Sequence, residues 1–359
     1  MNRLNRMIYL IRKCGLKVAY NKMYFYLFWA WIREHKTILN MYLKNPPYPR
    51  YIEIEVTTRC NLKCIMCEHT YWDEPNRDMS LDEFKHIIDQ FPDLVWIGLT
   101  GIGESFINKQ FMNMLEYVKS KDITVELYDT FYFIDKYTSK RLIAMGVDKI
   151  LVSLDGATKD TYEKIRIGSD FDKVISNVRT LFEQKSLHNS DFPEVSFHFI
   201  IMKHNINEVL PYIDLVYSIA GSESPIQFSQ FLHNYKDVNN LYIEVSEELI
   251  SMVELRAKSL GIKIIWSLDV PKIKPMMSEC IEWNMPFIFV NGDVIPCCAS
   301  NESGNRENQK KLKLGNVFET LFKEIWNNKL YQELRNGLLN EQVPKQCINC
   351  CIYDRCDSK

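Results

Sequence analysis

Tyr51-Ile52-Glu53-Ile54-Glu55-Val56-Thr57-Thr58-Arg59-Cys60-Asn61-Leu62-Lys63-Cys64-Ile65-Met66-Cys67 is the stretch that decides how this chain is organised. Residues 51–57 read as a strand, and a Cys-x3-Cys-x2-Cys loop follows directly. Scattering 11 cysteines at random over 359 residues would give roughly 0.01 such triplets, so the spacing is a signal. A fold-back loop of this length can set three thiolates around one face of a metal centre. Thiolates are soft ligands suited to iron–sulfur or zinc. A structural zinc site would need a fourth ligand, for which His69 is available. Iron–sulfur clusters usually take four cysteines, so three would leave one iron open and reactive.

Working outward, strand-like runs alternate with helix-like runs. Strands are expected near 51–57, 94–100, 123–130, 149–154, 194–201 and 225–230. Helices are expected near 80–91, 108–120, 134–145, 171–186, 206–220 and 246–260. Six such repeats imply an α/β fold, a partial (β/α)6 TIM-like barrel. Its site would lie at the carboxyl ends of the strands. The alternation stops near 270, which divides the chain into 1–49, 50–270 and 271–359. The last part is cysteine-rich, with a turn at Asn291-Gly292-Asp293 and a polar stretch at 300–311 read as an exposed loop. It is expected to be a small domain held by metal more than by a large core.

The composition is that of an ordinary globular protein: 46% hydrophobic, 25% charged, formal net charge −2. Near-zero charge gives no case for nucleic acid. The cysteines are unevenly placed, at Cys14, in 60–67, and then seven from Cys280 to Cys356. No signal-peptide pattern is present and the longest apolar run, Met23 to Ile32, is too short to span a bilayer. A reducing, cytoplasmic setting and metal binding are therefore expected rather than disulfides. Residues 1–45 hold nine basic residues and one acid, a net of +8, leaving −10 for the remainder. Leu4, Met7, Ile8, Ile11, Cys14 and Val18 recur at helical spacing between these charges. Such a basic amphipathic extension could lie on an anionic membrane or pack against the acidic barrel.

The Cys60–Cys67 loop after the first strand resembles that of the radical S-adenosylmethionine (SAM) superfamily. The resemblance implies a [4Fe–4S] cluster on Cys60, Cys64 and Cys67, whose open iron chelates SAM. Reductive cleavage of SAM would then give a 5′-deoxyadenosyl radical that abstracts a substrate hydrogen. Met66 stands where the family often has an aromatic residue facing the adenine. Leu99-Thr100-Gly101-Ile102-Gly103-Glu104-Ser105 resembles the family's Gly-Gly-Glu-Pro turn, with Ser105 in place of Pro. By that match Gly103 and Glu104 hold the methionyl ammonium. On its own the motif reads as a tight turn with a surface Glu. Ser153, Asp155 and Arg166 follow the fourth strand; relatives use Ser-x-Asp-Gly near the ribose and methionyl part. Arg166 could pair with a carboxylate through its planar fork. Residues 199–205 would line the adenine.

The second cysteine set combines Cys280, the Asn291–Cys297 turn segment and Cys347-Ile348-Asn349-Cys350. Chemically it could be a four-sulfur zinc site or an iron–sulfur site. It resembles the SPASM or shortened twitch domains that follow radical SAM barrels. The resemblance implies one auxiliary [4Fe–4S] cluster on Cys280, Cys297, Cys347 and Cys350. Cys356 is an alternative ligand, and Cys298 and Cys351 are spare.

The whole points to a radical SAM oxidoreductase or transferase with a flavodoxin- or ferredoxin-type electron donor. Its substrate is expected to be a small molecule, a sugar or a lipid-linked compound; a peptide maturase and a zinc-dependent scaffold are the alternatives. A substrate proton acceptor is open among His69, Tyr71, His198, His204 and His233.

Overall fold

In most central strands, apolar side chains on one face meet helices while the other face carries polar groups. This is seen in the computed structural model, which describes residues 35–230, 236–268, 280, 282–298 and 306–348. The first described helix is α1 (Lys36–Lys44), and the first strand is β1 (Tyr51–Ile54). Ile52 and Ile54 are fully buried in the core, whereas Glu53 and Glu55 lie on the opposite face. The barrel continues as β2 (Lys63–Cys64), α2 (Leu81–Ile88), β3 (Trp96–Leu99), α3 (Phe111–Ser120) and β4 (Thr124–Asp129). Then come α4 (Lys136–Met145), β5 (Lys149–Ser153), α5 (Lys159–Ile165), β6 (Arg166–Ile167) and α6 (Phe171–Leu187). It ends with β7 (Glu194–Ile200), α7 (Val209–Ala220), β8 (Ile226–Ser229), α8 (Glu247–Leu260) and β9 (Ile264–Ser267).

Helix starts follow local chemistry. Ser80 and Glu83 form a capping box at α2, and Asp135, Thr158, Asp170 and Ser246 each accept an amide at a helix N-terminus. Gly146 ends α4 with φ +64°, a left-handed cap that a side chain would strain.

All six expected strands and six expected helices are present. They are joined by strands the sequence pattern did not reveal. β9 pairs in parallel with β8, and β10 (Phe287–Ile288) pairs in parallel with β1, Glu53 facing Phe287. The sheet runs β12-β11-β10-β1-β3-β4-β5-β7-β8-β9, with β11 (Asp293–Ile295) and β12 (Gly315–Asn316) antiparallel at its edge. Among the described residues β1 and β8 do not pair, so the sheet is open: a partial barrel.

The carboxy-terminal part, with α9 (Arg306–Lys311), α10 (Phe322–Asn327) and α11 (Lys329–Leu339), holds a substantial apolar core. Trp283 and Trp326 stack at 5.6 Å and 14°, and Phe322, Tyr331, Leu334 and Leu338 are fully buried around them. Metal is thus not the only thing holding this region. Its sheet is continuous with the barrel's, because β10 extends the barrel from β1. Within the stretch read as an exposed loop, 306–311 is instead helical, and Arg306 and Gln309 are buried. Burial of such polar groups is possible because Arg306 finds carboxylate partners. Residues 300–305 lie outside the described residues, as do 1–34, Cys350, Cys351 and Cys356. Of the amino-terminal extension, α1 packs against α11, and Tyr42 Oη accepts a hydrogen bond from Asn284 Nδ2 at 3.1 Å.

Candidate active site

The cysteine loop is anchored from several sides. Cys64 lies opposite Arg166 in the small antiparallel pair of β2 and β6. Thr70 Oγ1 donates to Cys64 O at 2.7 Å and Tyr71 Oη to Ile65 O at 2.6 Å. Cys60, Cys64 and Cys67 meet in one apolar cluster with Leu62, Met66, Ile165 and Met202. Burial pushes all three thiols up, Cys60 to about 12; neighbouring carboxylates and sulfurs add to the rise, while the Arg166 charge opposes it at Cys60 and Cys64. Three such thiols ionise together only if a cation joins them. Among the described residues no three His, Cys, Asp or Glu side chains converge tightly enough for a single metal ion. A multi-iron cluster has no such need, because each thiol binds a different iron. His69 is half-buried beside the loop; burial and then the Lys63 charge hold it below its ordinary pKa. It does not converge with the cysteines.

The turn after β3 is pressed against this loop. A Cβ on Gly103 would overlap the carbonyls of Thr57 and Arg59, so only glycine allows the approach. Glu104 N then donates to Arg59 O at 2.8 Å, one residue before Cys60. The Glu104 carboxylate is buried, accepts from Thr130 Oγ1 at 2.8 Å through Oε2, and shares a hydrogen bond with the Asp129 carboxyl. It is thus a buried carboxylate, not the surface Glu of an ordinary tight turn. Asp129 lies against it, its Oδ1 accepting from Phe131 N at 2.6 Å. Burial, then the Glu104 charge, raises Asp129 well above the usual carboxylate range. Phe131 sits at φ +61°, a left-handed conformation that the Asp129 turn supports.

Asp155 and Arg166 meet each other. Asp155 Oδ2 takes Arg166 Nε at 2.7 Å and Nη2 at 2.5 Å, and Oδ1 accepts from Ile200 N at 2.7 Å. Arg166 Nη1 faces Cys64 Sγ at 3.9 Å. Burial alone would lower the Arg166 pKa, but Asp155 and Cys64 more than offset it. In the 199–205 segment, Phe199 faces the helices, Met202 packs on the cysteine loop, and Asn205 Nδ2 donates to Asp155 O at 3.0 Å.

Ser153 lies opposite His198 in the parallel register of β5 and β7, on the face away from the helical core. His198 Nε2 is 2.8 Å from Ser229 Oγ, and Tyr128 stands edge-on to its ring at 6.4 Å. Burial lowers the His198 pKa, favouring the neutral ring. Gln227 Nε2 donates to Ser267 Oγ at 3.4 Å on the same face. Of the five acceptor candidates, His198 has this partnered setting. Tyr71 spends its hydroxyl on the backbone, His204 is exposed, and His233 lies outside the described residues. Glu55, Asp129, Thr130 and Ser229 are site residues that the motifs did not indicate.

Cys297 is buried, and half-buried Cys280 and Cys347 pack on the same large core. Tyr331 is raised by burial and then by the Cys297 charge, so these two are close. Cys298, next in sequence, points to the other face against Phe287, Phe289 and Ile295.

Three thiols, Cys64 buried and Cys60 and Cys67 half-buried, at the carboxyl end of a parallel sheet beside a glycine turn ending in a buried carboxylate, define a cluster- and cofactor-binding partial barrel. Residues 54–216 match the radical SAM superfamily, and residues 280–351 match an iron–sulfur cluster-binding domain, SPASM. The chain thus carries a radical SAM domain followed by a SPASM domain. It is 24% identical over 319 residues to a tungsten-containing aldehyde ferredoxin oxidoreductase cofactor-modifying protein of Pyrococcus furiosus, covering 86% of this chain and 89% of that one. It is 24% identical over 335 residues to an AdoMet-dependent heme synthase of Methanosarcina barkeri, covering 84% and 88%. Its fold is similar to that of Streptococcus suis SuiB bound to S-adenosylmethionine, with TM-score 0.65, 15% identity and coverage of 98% and 92%. The first domain brings a [4Fe–4S] cluster and SAM, and the second brings auxiliary iron–sulfur clustering. No helix among the described residues is long and apolar enough to cross a membrane.

Proposed function

We propose that this enzyme cleaves SAM reductively at a [4Fe–4S] cluster on Cys60, Cys64 and Cys67. It then abstracts hydrogen from an unactivated carbon of a small-molecule, sugar or lipid-linked substrate, which is oxidised or rearranged. The supporting observation is the Glu104 N to Arg59 O hydrogen bond at 2.8 Å, which seats a buried carboxylate against the cysteine loop. When bound, the first cluster supplies the electron that splits the SAM sulfonium, and the auxiliary cluster supplies an electron acceptor for oxidation.

The chain's own residues would divide the remaining work. Glu104, whose carboxylate is shared with the Asp129 carboxyl, accepts the methionyl ammonium in a charge-assisted contact that takes the place of the Asp129 proton. Arg166 keeps positive charge beside Cys64, favouring the thiolate, and Asp155 fixes its fork. Ser153, one of the polar groups on the inner face, is available to the cofactor's hydroxyls. His198, neutral and oriented by Ser229, accepts the proton that leaves an oxidised substrate. Cys280, Cys297, Cys347 and Cys350 hold the auxiliary cluster. A flavodoxin- or ferredoxin-class protein donates the electrons. Residues 50–270 form the catalytic barrel, 271–359 the auxiliary domain and 1–49 an extension. The names of two relatives, a cofactor-modifying protein and a heme synthase, favour a non-peptide substrate.

Incubating the reduced enzyme and SAM with extract from deuterium-grown cells tests the substrate class. Deuterium in 5′-deoxyadenosine that follows the small, protease-resistant fraction supports the proposal. Deuterium that follows a protease-sensitive fraction would replace it with peptide maturation.

A further inference from the structure

Glu55 lies directly after β1 and is almost fully buried, yet none of the motifs includes it. One carboxylate serves three parts of the molecule. Oε2 accepts from Ile102 N at 3.2 Å, inside the turn that carries Glu104. Oε1 accepts from Val290 N at 3.4 Å, in the hairpin that leads to Cys297. Arg306 Nη2 contacts Oε2 at 2.5 Å, and the pair's side chains are 6% and 1% exposed. Arg306 is itself held by Phe289, whose ring lies 4.2 Å away, and by Glu74 at 3.5 Å. Gly101 makes the arrangement possible, because a Cβ there would collide with the Glu55 side chain.

We infer that Glu55 is a positioning residue that sets the Glu104 turn and the Cys297 hairpin to one common reference. This rests on the proposed roles of those two segments. A charge matters here as well as a shape: an isosteric amide could accept from Ile102 or Val290, but it could not hold a buried guanidinium. Losing the charge should therefore release Arg306 and the hairpin, and let the Glu104 turn drift. Geometric looseness at a first contact shell weakens ligand binding even when the protein stays folded.

The test compares wild type with E55Q, R306M and R306K. Amide hydrogen exchange on cluster-free protein reads the two segments, and equilibrium dialysis with labelled SAM on anaerobically reconstituted protein reads the site. Iron content and the thermal midpoint are followed alongside. E55Q and R306M should exchange faster in both 99–104 and 287–295 and bind SAM about tenfold more weakly, with iron content unchanged. R306K should recover most of the affinity. If E55Q does not fold, the two Arg306 variants decide alone. SAM affinity within twofold of wild type in every folded variant would overturn the inference. Failure of wild type itself to bind iron or SAM would instead remove the underlying functional reading.

Discussion

Arg166 and Asp155 form a buried two-point ion pair, Nε and Nη2 on one carboxylate oxygen at 2.7 and 2.5 Å, with Nη1 of the same fork facing Cys64 Sγ. The pair makes a charged strut beside the cysteine loop out of the two residues proposed to contact the cofactor. Breaking a buried pair from one side strands a charge, at a cost of about 3–5 kcal/mol. D155A should lose about this much in urea unfolding, and D155N less, because its side-chain oxygen can still accept from Ile200 N. Equal stability of D155A and wild type would show that the pair does not matter to the fold.

Asp129 provides a pH test. Its folded pKa is raised, so the folded chain keeps a proton that the unfolded chain releases above about pH 4. That contribution is complete below the unfolded pKa and is lost as pH rises through the folded value. In SAM-free protein, D129N should therefore be more stable than wild type at pH 7, with the gap closing toward pH 4. An ammonium placed on Glu104 would expel the same proton, so below the folded Asp129 value SAM should bind more tightly as pH rises. Thermal unfolding and dialysis at each pH read the two effects; a gap that does not vary with pH would count against both.

The aromatic core of the carboxy-terminal region separates metal from packing. W326A removes a fully buried ring stacked on Trp283 and should cost about 3–5 kcal/mol. C347A should lower iron content while leaving much of the thermal stability. If C347A unfolds the region as completely as W326A, metal rather than packing holds it.

His198 should separate cofactor cleavage from substrate chemistry. H198A should still form 5′-deoxyadenosine without substrate. Oxidised product should fall by about 100-fold, the lower end of general-base contributions. H198Q should behave alike, and S229A should lose less, because it only frees the ring. Wild-type product yield from H198A would exclude the role.

Much of the barrel was legible because each central strand and helix carries its own periodicity. β9 and β10 were not; β10 is only two residues long, which leaves no alternation to register. β10 is also recruited by β1 across more than 200 residues. The cysteine loop and the Glu104 turn were readable because their chemistry is local. Glu55 looked like any polar position of an alternating strand; its meaning comes from Arg306, 251 residues away. Arg306 itself fell in a polar stretch that reads as solvent-exposed until its carboxylate partners are known. Asp155 and Arg166 were found as a motif, but only the return of β6 along β2 reveals that they pair.

Anaerobic incubation of the reconstituted protein with dithionite and SAM, followed by quantitation of 5′-deoxyadenosine, tests the central claim most directly. Wild type should contain about eight irons from two cubane clusters and release 5′-deoxyadenosine, and C60A should release none. Zinc in place of iron, or equal release from C60A, would contradict the account.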